Sequence, residues 1–334
     1  MQSIGDMAQS LVMRLNQTRL RDQIGQLGVE ISTGVARDKA AHLGGDLTVL
    51  ATLDRSLKSL DSFRIATAEA TYLAEVMQSA LGQVQGRIEE LSPRMLQSEM
   101  VVSEHLRNSL AEDARATLVA TLSNLNSTAA GRSVFGGVAT DRAAVADATT
   151  ILDALRAELA GEITVAGVEA RLDAWFETPG GGFDTVAYTG STTDVADTRL
   201  SSSDSAKLNV RADDPVFRNM IKALSFAALS HDAALAFPPD LKSDMLKSAG
   251  LQLQTALVPL TDLRSGVGTL QARIEETETR NATEGTATEL ARLKLIGVDQ
   301  YDTAVRLQDA QVQLEALYAV TARAARMSFA EFMR

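Results

Sequence analysis

A chain of 334 residues with a formal charge of −11 carries the wrong sign for a phosphate-seeking surface, so no nucleic-acid partner is expected. It has no cysteine, which excludes disulfides and thiolate metal sites. Aromatic residues supply only 4% against 45% apolar overall, so Ala, Leu, Val and Thr must fill the interior, as in thin helical bundles with small residues between helices.

The first thirty-odd residues place Met7, Leu11, Leu15, Leu20, Ile24, Leu27 and Ile31 mostly three, four or seven apart, one face of an amphipathic helix. No basic segment followed by an apolar run opens the chain, so no cleaved signal peptide is expected. No run of about 18 apolar residues occurs, so no membrane insertion is expected either. Ser32-Thr33-Gly34 ends the pattern, and His42-Leu-Gly-Gly-Asp46 makes a turn, with Asp46 or Thr48 capping the next helix. Leu50, Leu53, Leu57, Leu60, Ile65, Tyr72, Val76, Leu81, Val84, Ile88 and Leu91 then keep helical spacing as far as Ser92-Pro93. There the proline is expected to kink the helix or restart it behind a Ser92 cap. Ser109-Leu-Ala-Glu112 reads as a capping box ahead of Ala114, Leu118, Leu122 and Leu125.

The pattern changes beyond Phe135-Gly136-Gly137. A short helix is predicted between Ala143 and Leu159. It is followed by β-prone pieces at 163–165, 185–188 and 207–210, separated by Gly, Thr, Ser and Asp. Asp214-Pro215 restarts helix as cap and first residue, with Val216, Met220, Leu224 and Ala228 as the buried stripe. Pro238-Pro239 breaks it. A further helix from Asp240, interrupted at Pro259, carries Leu263, Val267, Leu270 and Ile274, with Arg273, Glu275, Glu276, Glu278 and Arg280 as a solvated face. The last stretch, 284–334, reads as one long helix with Leu290, Leu293, Tyr301, Ala304, Leu307, Leu314, Tyr318, Thr321 and Ala325 on a seam close to a heptad. At about 1.5 Å per residue it would run roughly 75 Å, and it needs a partner helix along most of that length.

The fold class read from this order is mainly α: an elongated helical bundle or coiled coil formed by both termini, with a small β-containing inserted domain. The expected division is an N-terminal assembly helix and turn over 1–45, then the first half of a helical rod over 46–137. An inserted α/β-containing outer domain follows over 138–212, then the second half of the rod over 213–289 and a C-terminal assembly helix over 290–334. The insertion is expected to fold by itself.

Chemistry is poorly signalled. His42, His105 and His231 form no His-x-x-x-His pair, and the neighbours Glu104 and His105 diverge by about 100° on a helix. Gly180-Gly181-Gly182 lacks the Lys-Ser/Thr of a phosphate loop and reads as a flexible turn. The sequons at Asn16, Asn126 and Asn281 read as chance matches, at least the first two falling in predicted helix. No catalytic residue, cofactor or metal is expected. The terminal stripes have two readings: a core within one chain, or surfaces completed by neighbouring copies.

Three stretches together resemble the flagellin superfamily, and within it the hook-associated proteins of the hook–filament junction. They are the N-terminal helix running into Ile31-Ser-Thr-Gly34, then Gly131-Arg-Ser-Val-Phe-Gly-Gly137 with Ala139-Thr-Asp141, then Val298-Asp-Gln-Tyr-Asp-Thr-Ala304 through Leu314-Glu-Ala-Leu-Tyr318 to Met327-Ser-Phe329. The chain departs from the family in one place. Many relatives carry Asp-Asp-Pro soon after the N-terminal turn, where this chain has His42-Leu-Gly-Gly-Asp46; its own Asp-Asp-Pro is at 213–215. The resemblance implies a structural subunit, not an enzyme, exported without a cleaved signal to the extracellular flagellum. It implies self-association into a ring or helical array, contact with other hook-associated proteins and flagellin, and an export chaperone. With it the terminal stripes are read as assembly surfaces, with Leu11, Leu15, Ile24, Leu27, Leu307, Leu314, Leu317, Tyr318 and Phe329 as the interface residues and an apolar tip of Ser328, Phe329, Phe332 and Met333. Filament flagellin is the nearest alternative, a cytoplasmic coiled-coil adaptor the alternative from another class.

Overall fold

The computed structural model describes residues 4–97 and 103–332, with side chains from residue 8 onward apart from those of 9, 324, 325 and 327–332. The fold is mainly α. Its helices are α1 (Ile4–Thr33), α2 (Lys39–His42), α3 (Thr48–Leu96), α4 (Glu104–Leu125), α5 (Ala148–Leu159), α6 (Val165–Glu177), α7 (Pro215–Leu229), α8 (Pro239–Ile296) and α9 (Gln300–Phe332). Two antiparallel two-residue pairs supply the β structure, β1 (Thr128–Ala129) with β2 (Arg132–Ser133) and β3 (Thr198–Arg199) with β4 (Ser205–Ala206). The chain divides into two compact units, one of Met1–Asp61 with Ala282–Arg334 and one of Ser62–Asn281.

The second unit is built on two strict heptad seams. On α3, Ala70, Ala74, Met77, Leu81, Val84, Ile88, Leu91 and Met95 are buried at alternating steps of four and three. On α8 the same alternation runs through Leu246, Ala249, Leu253, Ala256, Leu260, Leu263, Val267, Leu270 and Ile274. A run of that period keeps one stripe facing its partner along the whole length. The same core takes in Leu118, Leu122 and Leu125 of α4, Phe217, Met220 and Phe226 of α7, and Ile151, Leu155, Phe176 and Phe183 from the segment between them. Residues 148–187 therefore contribute their largest side chains to the core of the long helices rather than to a core of their own.

Both prolines stay inside their helices. Pro93 lies one turn from the end of α3, where buried Leu91 and Met95 hold the last turn on the core, and Ser92 is a buried helical residue rather than a cap. Pro259 sits within α8 between buried Ala256 and Leu260, and that packing outweighs the single backbone bond the ring removes. Pro239 starts α8, whereas α7 has already ended at Leu229. The supposed capping box is interior to α4, which begins at Glu104 and buries Leu110 and Ala111.

None of the three β-prone pieces forms a strand: 163–165 runs into a helix, 185–188 is a π-helical turn ending in a bridge, and 207–210 is irregular. Val165 opens α6, whose cap is Thr164 accepting from the Gly167 amide at 3.1 Å. Val168, Leu172, Trp175 and Phe176 supply a helical stripe that outweighs β-branched composition. Residues Phe183–Ala187 form a π-helical turn, and the ladder to Tyr188 is one isolated bridge with Val145. The glycine run before it is constrained by packing, since a Cβ on Gly182 would fall 1.9 Å from the Trp175 indole nitrogen. Asp214 and Pro215 start α7 as expected, the carboxylate accepting from the Val216 amide at 2.9 Å.

Three polar anchors tie the irregular segments down. The Asn126 amide both accepts from the Val145 N–H and donates to the Val145 carbonyl, each at 2.9 Å. Asn281, buried within α8, donates to the Leu200 carbonyl at 2.8 Å. Arg273 and Arg280, seven apart on α8, each donate to Asp204 at 3.1 Å, so this charged face clamps the β3–β4 hairpin instead of standing free in solvent. The Arg273 hydrogen bond, with those arginines' charge, holds the Asp204 carboxyl below the usual range.

Candidate assembly surface

In the first unit, α1 and α9 run antiparallel: Gly34 meets Val298 at one end and Arg21 meets Tyr318 further along. Both helices are set by a paired interruption. Gly34, at φ +69°, ends α1 with a left-handed turn that glycine adopts without strain. Val35 then bridges Gly297, with the Ala36 amide donating to the Ile296 carbonyl at 2.9 Å and the Val298 amide to the Gly34 carbonyl at 3.0 Å. The expected single helix over 284–334 is therefore two. The backbone groups at 296–298 are spent on this bridge, and Asp299 starts α9 by accepting from the amides of Tyr301 and Asp302. Ala36, Leu50, Ile296 and Thr303 are buried around the interruption. Arg292 of α8 also pairs with Asp54 of α3 at 2.7 Å within this unit.

The positions shielded between α1 and α9 again alternate four and three. They are Met13, Gln17, Leu20, Ile24, Leu27 and Ile31 on one helix, and Thr303, Leu307, Ala310, Leu314, Leu317 and Thr321 on the other. Of these twelve only Leu27, Thr303 and Ala310 are buried, and four are polar or alanine-sized on α9 or α1, so the seam is thin. Arg21 donates to the Tyr318 hydroxyl through Nε at 3.1 Å and Nη2 at 2.5 Å, closing one flank.

A second apolar set lies two residues out of step with the seam. Two residues turn a helix by about 200°, so Leu11, Leu15 and Val29 of α1, and Val305 and Val312 of α9, point away from the pairing face. Leu11 is 59% exposed, Leu15 63% and Val312 58%. The two helices thus carry apolar residues on two opposite faces, and among the described residues only one of those faces is covered.

Of the residues expected at an assembly interface, Ile24, Leu27, Leu307, Leu314 and Leu317 lie on the seam inside the chain. Tyr318 sits at its edge, while Leu11 and Leu15 lie on the uncovered face. The Phe329 side chain, with those of Ser328 and Phe332, lies outside the described residues, as does Met333. Sequence reasoning grouped two stripes as one. The two-residue offset of Leu11 and Leu15 from the 13–17–20–24 series is the signal that separates them, and Val29, Val305 and Val312 follow from the same count.

Elsewhere the side chains do little that suggests chemistry. Among the described residues no three His, Asp or Glu groups come together as metal ligands, and no helix is long and apolar enough to cross a membrane. His42 and His105 are exposed. His231, just past α7, is pushed down to about 4 by burial and by the charges of Lys242 and Arg107, with Glu104 opposing them. Its Nδ1 lies 3.0 Å from the Ser230 hydroxyl, which in turn sits 2.7 Å from the Ala227 carbonyl.

Residues 252–332 match the family model for the bacterial flagellin C-terminal helical region, a span covering most of α8, the interruption and all of α9. No curated protein matches the chain. The fold is similar to that of Bacillus cereus FlgL, with a TM-score of 0.53 and 13% identity over 73% of this chain and 100% of that one. It is also similar to a Vibrio parahaemolyticus protein assigned as a flagellar hook-associated protein, with a TM-score of 0.52 and 10% identity over 75% of this chain and 98% of that one.

Proposed function

We propose, from the premise that this chain belongs to the flagellin superfamily, that it is a structural subunit of the bacterial flagellum forming the junction between hook and filament. The observation that carries this reading is the double-faced pair α1/α9. One apolar face makes the hairpin, and the other, with Leu11, Leu15, Val29, Val305 and Val312, is left for neighbours. Copies packed side by side would cover this second face with helices of the same kind. Contacts of one face against a different face of the next copy close into rings or run on as helical arrays. The mechanism is assembly and involves no covalent chemistry.

The finer parts of the reading follow from the same premise. The protein leaves the cell without a cleaved signal through the flagellar export apparatus, helped by a chaperone, and contacts hook-associated proteins and flagellin at the hook tip. The test is its location in cells and its form when purified. It should be found outside wild-type cells and be missing there in a strain lacking the flagellar export gate. Concentrated protein should give closed assemblies of limited copy number. Long filaments would instead favour flagellin itself, and retention in the cytoplasm of flagellated cells would overturn the export reading.

A further inference from the structure

The heptad seams of α3 and α8 raise a problem of register. A pair of stripes repeating every seven residues packs nearly as well after a slide of one repeat, about 10.5 Å at 1.5 Å per residue. Ala70 and Ala74 on α3, and Ala249 and Ala256 on α8, make the stripes smooth and add little to distinguish one repeat from the next.

One layer differs. One residue along from the seam, Gln78 and Arg264 reach across to the opposite helix, and each meets a glycine. A Cβ on Gly82 would lie 3.3 Å from Arg264 Nη2, and a Cβ on Gly268 would lie 3.6 Å from Gln78 Nε2. The arrangement is reciprocal, because the polar side chain and the glycine are four apart on both helices: 78 and 82, 264 and 268. Gln78 Nε2 donates to the Arg264 carbonyl at 3.3 Å, and Arg264 Nη1 donates to Gln85 Oε1 at 2.7 Å. Gln85 in turn donates to Glu89 at 2.6 Å. Met77, Leu81, Val84, Leu260 and Val267 flank the layer and are buried.

The layer is not optimised for stability. Gln78 Oε1 and Arg264 Nε are buried without a hydrogen-bond partner among the described residues. A polar layer of this kind beside an apolar seam costs stability and returns specificity, because a slide of one repeat carries Gln78 and Arg264 away from the glycines and acceptors they meet here.

We propose that Gln78, Arg264 and the two facing glycines are a register lock, which fixes the axial position of α3 against α8 and resists sliding of one long helix along the other. The lock acts through shape and hydrogen bonding together. A Cβ at 82 would fill the notch and press on the Arg264 guanidinium, one at 268 would only reach ordinary contact with Gln78, and an apolar side chain at 78 or 264 would remove the penalty for slipping.

The chain has no cysteine, so two introduced thiols report without background. Spin labels at Glu75→Cys on α3 and Thr261→Cys on α8, both exposed positions, give the distance between the helices by pulsed electron resonance in the full chain. In the otherwise unchanged protein one narrow distance is expected. In Gln78→Leu/Arg264→Leu the helical signal and melting temperature should hold or rise, while the distance distribution splits or at least doubles in width. A narrow, unshifted distance in that variant overturns the proposal. So does a loss of helical signal, since the layer would then be a source of stability rather than of register. Gly82→Val with the lock residues intact separates shape from bonding: a changed distance supports the notch, and an unchanged one overturns its role.

Discussion

Two antiparallel helix pairs in this chain obey the same four-three repeat and end in different states. Along α3 and α8 in the second unit, the seam residues from Ala70 to Met95 and from Leu246 to Ile274 are almost all buried, because α4, α7 and residues 148–187 close over them. Along α1 and α9 in the first unit, most seam residues are only half-covered and a second apolar face stands open. The repeat alone does not decide whether a helix pair is complete. What decides it is whether a third layer exists, and for the terminal pair the chain supplies none among the described residues. An amphipathic helix gains most of its stability from packing rather than from intrinsic preference, so a pair with thin cover is the part the proposed assembly would complete.

The comparison can be broken most severely by removing part of that third layer. Replacing 138–212 with a short Gly/Ser linker deletes Ile151, Leu152, Leu155, Phe176 and Phe183, all of them fully buried. Each such loss costs on the order of 2–5 kcal/mol, and together they exceed the ~5–15 kcal/mol that holds a domain folded. The second unit should lose its cooperative melt and much of its helical signal by circular dichroism. Deleting residues 1–33 and 300–334 instead should leave that melt nearly intact. Equal damage from the two deletions would mean that the terminal pair is part of the same folding unit.

The next test separates the two faces of the terminal pair. Leu314→Asp puts a carboxylate into the seam, costing roughly 1–3 kcal/mol of a contact that has little to spare. Hydrogen exchange of α1 and α9 should speed up in the isolated protein, and stable attachment at the hook tip should fail. Leu15→Asp lies on the open face, so exchange should stay as it was while assembly still fails. Gln311→Asp, exposed beside the seam, is the mild control. If both leucine variants assemble normally, in cells that swim with attached filaments, the open face is not an interface.

Much of the architecture was legible in the residues themselves. Helical periodicity placed α1, α3, α7 and most of α8, and Asp214-Pro215 marked the start of α7 to the residue. The errors share a cause, which is that local signals were given more weight than tertiary packing. Pro93 and Pro259 look like helix breaks, yet buried neighbours on both sides carry the helix through. Val165 and Thr185–Ala187 look like strand, yet the 168–172–175–176 stripe makes the first helical, and the second is a π-helical turn that buries Phe183 and Ala187. The break at Gly297 carries a local mark, a glycine followed by the Asp299 cap, but the bridge to Val35 that fixes it lies some 260 residues away in sequence. At the candidate site, a period of seven was visible but its phase was not. Leu11 and Leu27 look equivalent until the seam is located, and then they fall on opposite faces.

A pH dependence sharpens the contrast further, since it belongs to the second unit alone. His231 is held near 4 in the folded chain, chiefly by burial, against about 6.5 when unfolded. Between those values the unfolded chain takes up a proton that the folded chain does not. This contribution to stability is therefore fully present above pH ~6.5 and is lost progressively as pH falls toward 4. His231→Asn should flatten that part of the stability–pH curve, measured by urea melts at pH 7 and pH 4.5. Exchange rates in α1 and α9, corrected for intrinsic pH effects, should not respond to the substitution. An unchanged slope in the variant would assign the acid sensitivity to other groups.

The smallest expected effect is at the clamp on the β3–β4 hairpin. Asp204 accepts from Arg273 and from Arg280, and Ser201 within the loop lies in hydrogen-bonding reach of the same carboxylate at 3.3 Å. Its pKa is lowered, so the clamp is present above the ordinary carboxylate range and is lost as pH falls through the folded value. Asp204→Asn keeps the shape and an acceptor oxygen but removes the charge that two guanidinium groups share. Arg273 and Arg280 are both more than half exposed, and exposed pairs of this kind contribute little to global stability. The melting temperature should barely move. The local result should differ, because Leu200 is fully buried and is also held by Asn281, so the loop's tip loosens while its base stays anchored. Amides of residues 201–206 should exchange faster in Asp204→Asn, with those of 196–200 and all of α8 unchanged. Faster exchange spreading along α8 would mean that the clamp supports the helix, and that the two long helices depend on this hairpin as well as on their seam.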